Sequence, residues 1–357
     1  MENIIYILCF FLLLFVTSVF TKYKFGFIIS LIISAVLLYV FVVSVEYTPD
    51  ASFYEYWLKE NKKMEPFFYY TSFYFTNYKE LHIFYTSIYS ALFLFFVTRF
   101  SRNPLLVTIL YIPILFLFYV TQLRYFMGLY AVYLAFYYWF VQKKQRIGLF
   151  FAVFAIINHY GLILFLPFIY FFLIPPQKVF IQSIIVMISL FTMYFTLDFL
   201  SSTLLSKIRF LAYFHSDLKS SFIGGVFVFF PYFISALWIR YSHNKIIKIY
   251  PNIFNEIKYK YLYVMGFVPQ IYFLIACYIQ VIGHRVIIGS LIITIFYFFY
   301  GLPLFRNHPK TKIQYIISFL FIFGILLFNT FISPKIFNID ASLNEIEKVL
   351  NSIQLFN

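Results

Sequence analysis

The feature that most constrains this chain is the spacing of its apolar runs. Crossing a bilayer takes about 20 apolar residues, with a range of roughly 17–25. Runs of that length fall at about 4–21, 26–45, 81–98, 104–122, 125–141, 179–197, 222–239, 261–282, 285–301 and 313–332. Only 11% of the residues are charged and 63% are hydrophobic, whereas a soluble domain carries about 25% charged residues. The expected fold is therefore all-α, a polytopic transmembrane helix bundle of about 10 full spans. It forms a single transmembrane domain over 1–357, with no internal repeat. The 54 Phe and 34 Tyr read as packing or lipid-facing side chains and carry no functional weight.

Charge and cysteine usage narrow the class further. The formal charge of +14 is dispersed between hydrophobic runs, a pattern that belongs to membrane topology and not to a nucleic-acid partner. Cys9 and Cys277 each sit in an apolar run with no C-x-x-C or metal spacing, so both read as small core hydrophobes. The N-terminus has Glu2 and no basic segment before its first apolar run. It reads as an uncleaved first span and not as a signal peptide.

The run 148–174 is too long for one ordinary span and short for two. Basic residues collect on the cytoplasmic side, and they discriminate between the two layouts. With the N-terminus outside and 148–174 folded back as a hairpin of half-length helices, sixteen basic residues lie inside against one acid, Glu256. A single crossing would leave thirteen basic residues inside and fourteen outside. The hairpin is preferred, with its turn at His159-Tyr160-Gly161 and Gly161 permitting it. Half-helices of about 12–14 residues rise only about 18–21 Å, so His159 is expected partly within the membrane, reached from outside. Irregular backbone at that depth persists only where protein or a water-filled cavity surrounds it.

Two outer loops follow from this topology, at 46–80 and 198–220. The first holds six acids. The second reads as an amphipathic helix at the interface, as does the tail 334–357. Unusual polar residues then gather on the outer face: Asp50 in the first loop, Arg124 opening the helix at 125, His159 at the hairpin turn, Arg209 and His215 in the second loop, and His284 and Arg285 between two spans. Arg124 could be a snorkelling anchor, yet arginine on the outer side runs against the positive-inside pattern. Its planar fork matches phosphate oxygens and stays charged in a partly dry site, so two outer arginines suit a pyrophosphate. His159 at the turn of a broken membrane helix is a second candidate. His82, His243 and His308 read as interface or inner-loop residues. No H-E-x-x-H, D-x-D, Walker lysine loop or G-x-S-x-G elbow occurs, and no metal or cofactor is expected.

These residues also occur in a telling order. PDASFYEYW places Asp50 and Tyr54 in a D-x-x-x-Y arrangement, followed by Glu65-Pro66. QLRYFMGLYAV opens a helix with Arg124, and NHYGLILFLPF carries His159 after a basic turn; GHRVIIG carries Arg285. The pattern over about residues 1–300 resembles the EpsG-like proteins, which belong with the Wzy-type polymerases of bacterial surface polysaccharides such as O-antigen and capsule. The chain departs from that family's R-Q-x-x-A and H-x-S-A patterns at Tyr125, Gly128 and Gly161. The resemblance implies a metal-independent glycosyltransferase in the bacterial cytoplasmic (inner) membrane, with its active face outside. Donor and acceptor would be undecaprenyl-pyrophosphate-linked oligosaccharide repeat units, and a chain-length regulator is a further expected partner alongside membrane lipid. Arg124 and Arg285 would hold the pyrophosphate, with Tyr54, Arg209, His215 and His284 also contacting substrate. Asp50 or His159 would take the acceptor proton. A flippase or exporter of lipid-linked oligosaccharide is the competing class, expected to show repeated halves or charges in both leaflets. An O-antigen-ligase-like transferase is the competing enzyme, expected to carry a larger outer loop.

Overall fold

The computed structural model describes residues 23–43, 45, 51–60, 65–203 and 221–331. Among these it is helical, with no strand. Among the described residues five helices are long and apolar enough to cross a membrane: Tyr78–Phe100, Pro176–Thr196, Phe222–Ile249, Gln280–Phe305 and Pro309–Thr330. They coincide with the apolar runs expected at 81–98, 179–197, 222–239, 285–301 and 313–332. The run 4–21 and the tail 334–357 lie outside the described residues, as do most of the second outer loop and parts of the first.

The chain divides into two compact units. Among the described residues the first runs over 23–139 and 144–162, and the second over 140–143 and 163–331. In the first unit the described helices are α1 (Lys24–Val43), α2 (Ala51–Lys59), α3 (Pro66–Ser72), α4 (Tyr78–Phe100), α5 (Pro104–Thr121), α6 (Leu123–Phe136) and α7 (Gln145–Asn158). Local signals set their ends. Proline, which lacks the N–H that a first turn leaves orphaned anyway, starts α3 and α5. Asn77 caps α4 by accepting the Glu80 N–H, while the Glu80 carboxylate reaches back to the N–H and hydroxyl of Thr76.

Helices α6 and α7 form a tight pair. Every residue of α6 is buried. A Cβ added at Gly128 would collide with Leu162 and lie 3.3 Å from the Ala155 carbonyl oxygen. Close helix approach through small residues is how helices associate in lipid, and it gives a reason for glycine at this position. The basic turn closes with the Lys144 N–H on the Tyr138 carbonyl and the Trp139 indole N–H on the Gln145 carbonyl.

The second unit holds α8 (Phe168–Leu173), α9 (Pro176–Thr203), α10 (Phe222–Ile249), α11 (Ile257–Phe267), α12 (Phe273–Ala276), α13 (Gln280–Ile282), α14 (Leu291–Gly301) and α15 (Pro309–Phe331). The Lys260 ammonium donates to the carbonyls of Phe172 and Ile174, closing the C-terminal end of α8. Such a cation there satisfies orphan carbonyls and complements the helix dipole. Helix α10 contains Pro231, whose missing N–H and bulky ring disrupt the preceding turn. Asn329 of α15 donates to the Val228 carbonyl in that turn.

The run expected as one span at 261–282 is not one helix. It breaks into α11, a 3-10 turn at Val268–Tyr272 and the short α12. Pro269 removes an amide donor and its ring crowds the carbonyl four residues back, which weakens the α-helical ladder at this point. The following boundary also shifts. His284 and Arg285, expected between two spans, lie in a π turn at Gly283–Ile287, inside the continuous helical stretch Gln280–Phe305.

Candidate functional site

The expected break in 148–174 is present, and it falls at His159. Helix α7 stops at Asn158 after 14 residues, about 21 Å of rise. His159 adopts an extended conformation with φ −156° and ψ 111°, and a 3-10 turn follows at Tyr160–Phe165 before α8. The mechanism of the break differs from expectation. Gly161 does not use a positive φ. Instead its N–H donates to His159 Nδ1 at 3.0 Å, and the Leu162 N–H donates to the His159 carbonyl. A side chain that bonds the backbone two residues on offers the chain an alternative to the helix.

That hydrogen bond also fixes what the imidazole can do. An Nδ1 that accepts a backbone N–H places the ring's hydrogen on Nε2. In this arrangement Nδ1 is engaged by the backbone, and Nε2 is the ring's other polar atom. Its ring meets Tyr125 edge to face at 5.3 Å, which brings it beside the start of α6.

Arg124, one residue before Tyr125, is the second centre. It stands in the first turn of α6 and is only 6% exposed. Its Nε donates to the Tyr54 hydroxyl at 2.8 Å, and its Nη1 donates to Glu65 Oε2 at 2.9 Å. The guanidinium carbon lies 4.7 Å from the ring of Phe68, 5.0 Å from Tyr54 and 5.4 Å from Trp57. The sequence explains each wall. Tyr54 and Trp57, three apart on α2, share one helix face. Glu65 precedes Pro66, which biases it to an extended conformation, and its φ −56° and ψ 144° comply. Its carboxylate does not cap α3 and is committed to Arg124.

Beside Arg124 lies a small pocket of about 10 Å³ lined by Tyr54, Tyr78, Leu81, His82, Tyr85, Leu123 and Arg124, room for about one water. His82 is 6% exposed and shares a 2.9 Å hydrogen bond with Tyr78 one turn earlier on α4. Tyr78 in turn stacks on Tyr54 at 5.6 Å. The Tyr85 hydroxyl meets Thr71 at 3.1 Å. His82, read from the sequence as an interface residue, is thus part of this wall. Nothing in its local sequence marks it, because the pocket assembles from two helices and the start of a third.

Of the residues singled out in the sequence, the structure therefore brings together Arg124, Tyr54 and the Glu65-Pro66 pair, with His159 one ring contact away. Arg285 and His284 belong to the second unit, where the His284 ring packs edge to face on Phe229 at 5.4 Å. Asp50, Arg209 and His215 lie outside the described residues. Another buried polar chain runs through the second unit. His243 Nδ1 bonds the Tyr259 hydroxyl at 2.8 Å, and that hydroxyl meets Tyr297 at 2.8 Å. His243, only 1% exposed, is hence a core residue and not a loop one. Among the described residues no three His, Cys, Asp or Glu side chains group so as to hold a metal ion. No family model matches the chain, and neither a curated protein nor a solved structure does.

Proposed function

We propose that this chain is a polysaccharide polymerase. In this reading it is a membrane glycosyltransferase that joins undecaprenyl-pyrophosphate-linked oligosaccharide repeat units on the outer face of the cytoplasmic membrane. About ten spans and an outer N-terminus belong to the same reading. The observation that carries it is the buried Arg124, held in an aromatic and carboxylate frame beside the broken helix at His159. A guanidinium so fixed offers preorganised charge to an oxygen that becomes negative, and it does so in a site with little competing water.

The step is a displacement at the anomeric carbon of the donor sugar. The acceptor hydroxyl oxygen bonds that carbon while its bond to pyrophosphate breaks, and the electron pair leaves on the pyrophosphate oxygen. Arg124 stabilises that oxygen and the His159 Nε2–H adds a donor. With His159 spoken for at Nδ1, the proton of the acceptor hydroxyl passes to Asp50.

Deletion of the gene is expected to replace long glycan chains by single repeats on the outer face. Repeats trapped on the inner face would instead identify a flippase. In purified protein supplied with lipid-linked repeats, Arg124→Lys should lower elongation by at least about a hundredfold, since an ammonium lacks the planar fork. Elongation at a near-normal rate would remove Arg124 from the mechanism. The lysine variant is preferable to alanine, which would leave Glu65 buried beside no cation at a cost of about 3–5 kcal/mol.

A further inference from the structure

The Arg124–Glu65 pair carries more than a scaffold role. Arg124 stands in the N-terminal turn of α6, where the helix dipole is positive and a cation is disfavoured. It is also almost fully buried, and a buried charge needs a partner. Glu65 supplies that partner incompletely. One carboxylate oxygen takes Nη1 and the Tyr54 hydroxyl takes Nε. Among the described residues Nη2 has no hydrogen-bond acceptor, although arginine has five N–H donors. The guanidinium borders the small pocket, and Nη2 lies on the same edge of the fork as Nε.

An oxyanion at Nη2 would meet charge-assisted donors, but it would compete with Glu65 for the same positive charge. With Glu65 ionised the pair is net neutral and the pull on an incoming anion is weakened. Resting on the reading of Arg124 as a pyrophosphate ligand, we propose that Glu65 is an exchangeable internal counter-ion. It neutralises Arg124 when the site is empty, yields part of that charge to the phosphate oxygens of the polyprenyl-pyrophosphate substrate, and reclaims it when pyrophosphate-bearing product departs. Glu65 thereby sets oxyanion affinity low enough for turnover; product release limits many enzymes.

The test uses full-length protein in lipid nanodiscs, with inorganic pyrophosphate as the probe and both calorimetric affinity and thermal unfolding as readouts. Glu65→Gln keeps an acceptor for Nη1 and removes the charge. It should bind pyrophosphate about tenfold more tightly or better, given the strength of a charge interaction at this range. Pyrophosphate should also raise its melting temperature more than that of the wild type, even though the ligand-free variant melts lower. Arg124→Gln should lose binding in either background. Glu65→Asp, whose carboxylate is drawn back from Nη1, should shift affinity in the same direction by less. Equal or weaker pyrophosphate binding by both Glu65 variants, with Arg124 still required, would overturn the counter-ion role and leave the proposed function intact. Binding that survives Arg124→Gln, or no binding by any variant, would remove Arg124 as an oxyanion ligand and both ideas with it.

Discussion

At the scale of single residues, the sharpest outcome concerns His159. A histidine at a suspected helix break reads from the sequence as a base or a phosphate contact, with nothing to choose between them. Its backbone hydrogen bond favours the second, because the Gly161 N–H engages Nδ1. His159→Asn tests this. The asparagine carbonyl can accept the same N–H, so stability should change by less than about 1 kcal/mol, measured by thermal unfolding. Elongation should fall sharply because the Nε2–H is gone. Retained activity in that variant would confine His159 to shaping the break. Arg124 was legible by type and position, and Tyr54 and Glu65 as members of an ordered pattern, but their pairing with it was not. Glu65 is 59 positions away and Tyr54 is 70, and no periodicity links them.

At the scale of elements, helix existence follows from hydropathy, while helix continuity depends on particular residues. The apolar stretch at 261–282 satisfies any length criterion, yet Pro269 interrupts it; conversely His284 and Arg285 look like a loop and are absorbed into a helix. Glycine shows the same dependence on neighbours. In α10 a Cβ at Gly225 would strike the backbone carbonyl of Cys277, whereas at Gly324 in α15 nothing lies within 4 Å. Gly225→Ala should therefore destabilise the protein by at least about 1–3 kcal/mol, the cost of overpacking. Gly324→Ala should stabilise it by up to about 1 kcal/mol through helix propensity. A melting-temperature comparison of the two variants checks both, and similar shifts would contradict the close approach at Gly225.

At the scale of the whole molecule, the question is on which side of the membrane each end of the broken run 148–174 emerges. The proposed topology places Lys178 inside. In a background lacking Cys9 and Cys277, Lys178→Cys should be labelled by an impermeant thiol reagent only after the inner face is opened. Labelling from outside would make 148–174 a single crossing and reverse every later segment. The sequence alone determined that the chain is built of long apolar helices, because hydropathy depends on composition within each run and on nothing distant. It also marked Arg124 and His159, since charged and polar groups at apolar helix ends are costly and stand out. Only the tertiary structure decided what surrounds them. The carboxylate at Arg124, the rings of Tyr54, Trp57 and Phe68, and His82 at the pocket come from three helices, α2, α3 with its N-cap, and α4. Their meeting is set by packing such as the contact of Gly128 with α7. A buried charge takes its chemistry from its neighbours in space, and these are separated from it along the chain.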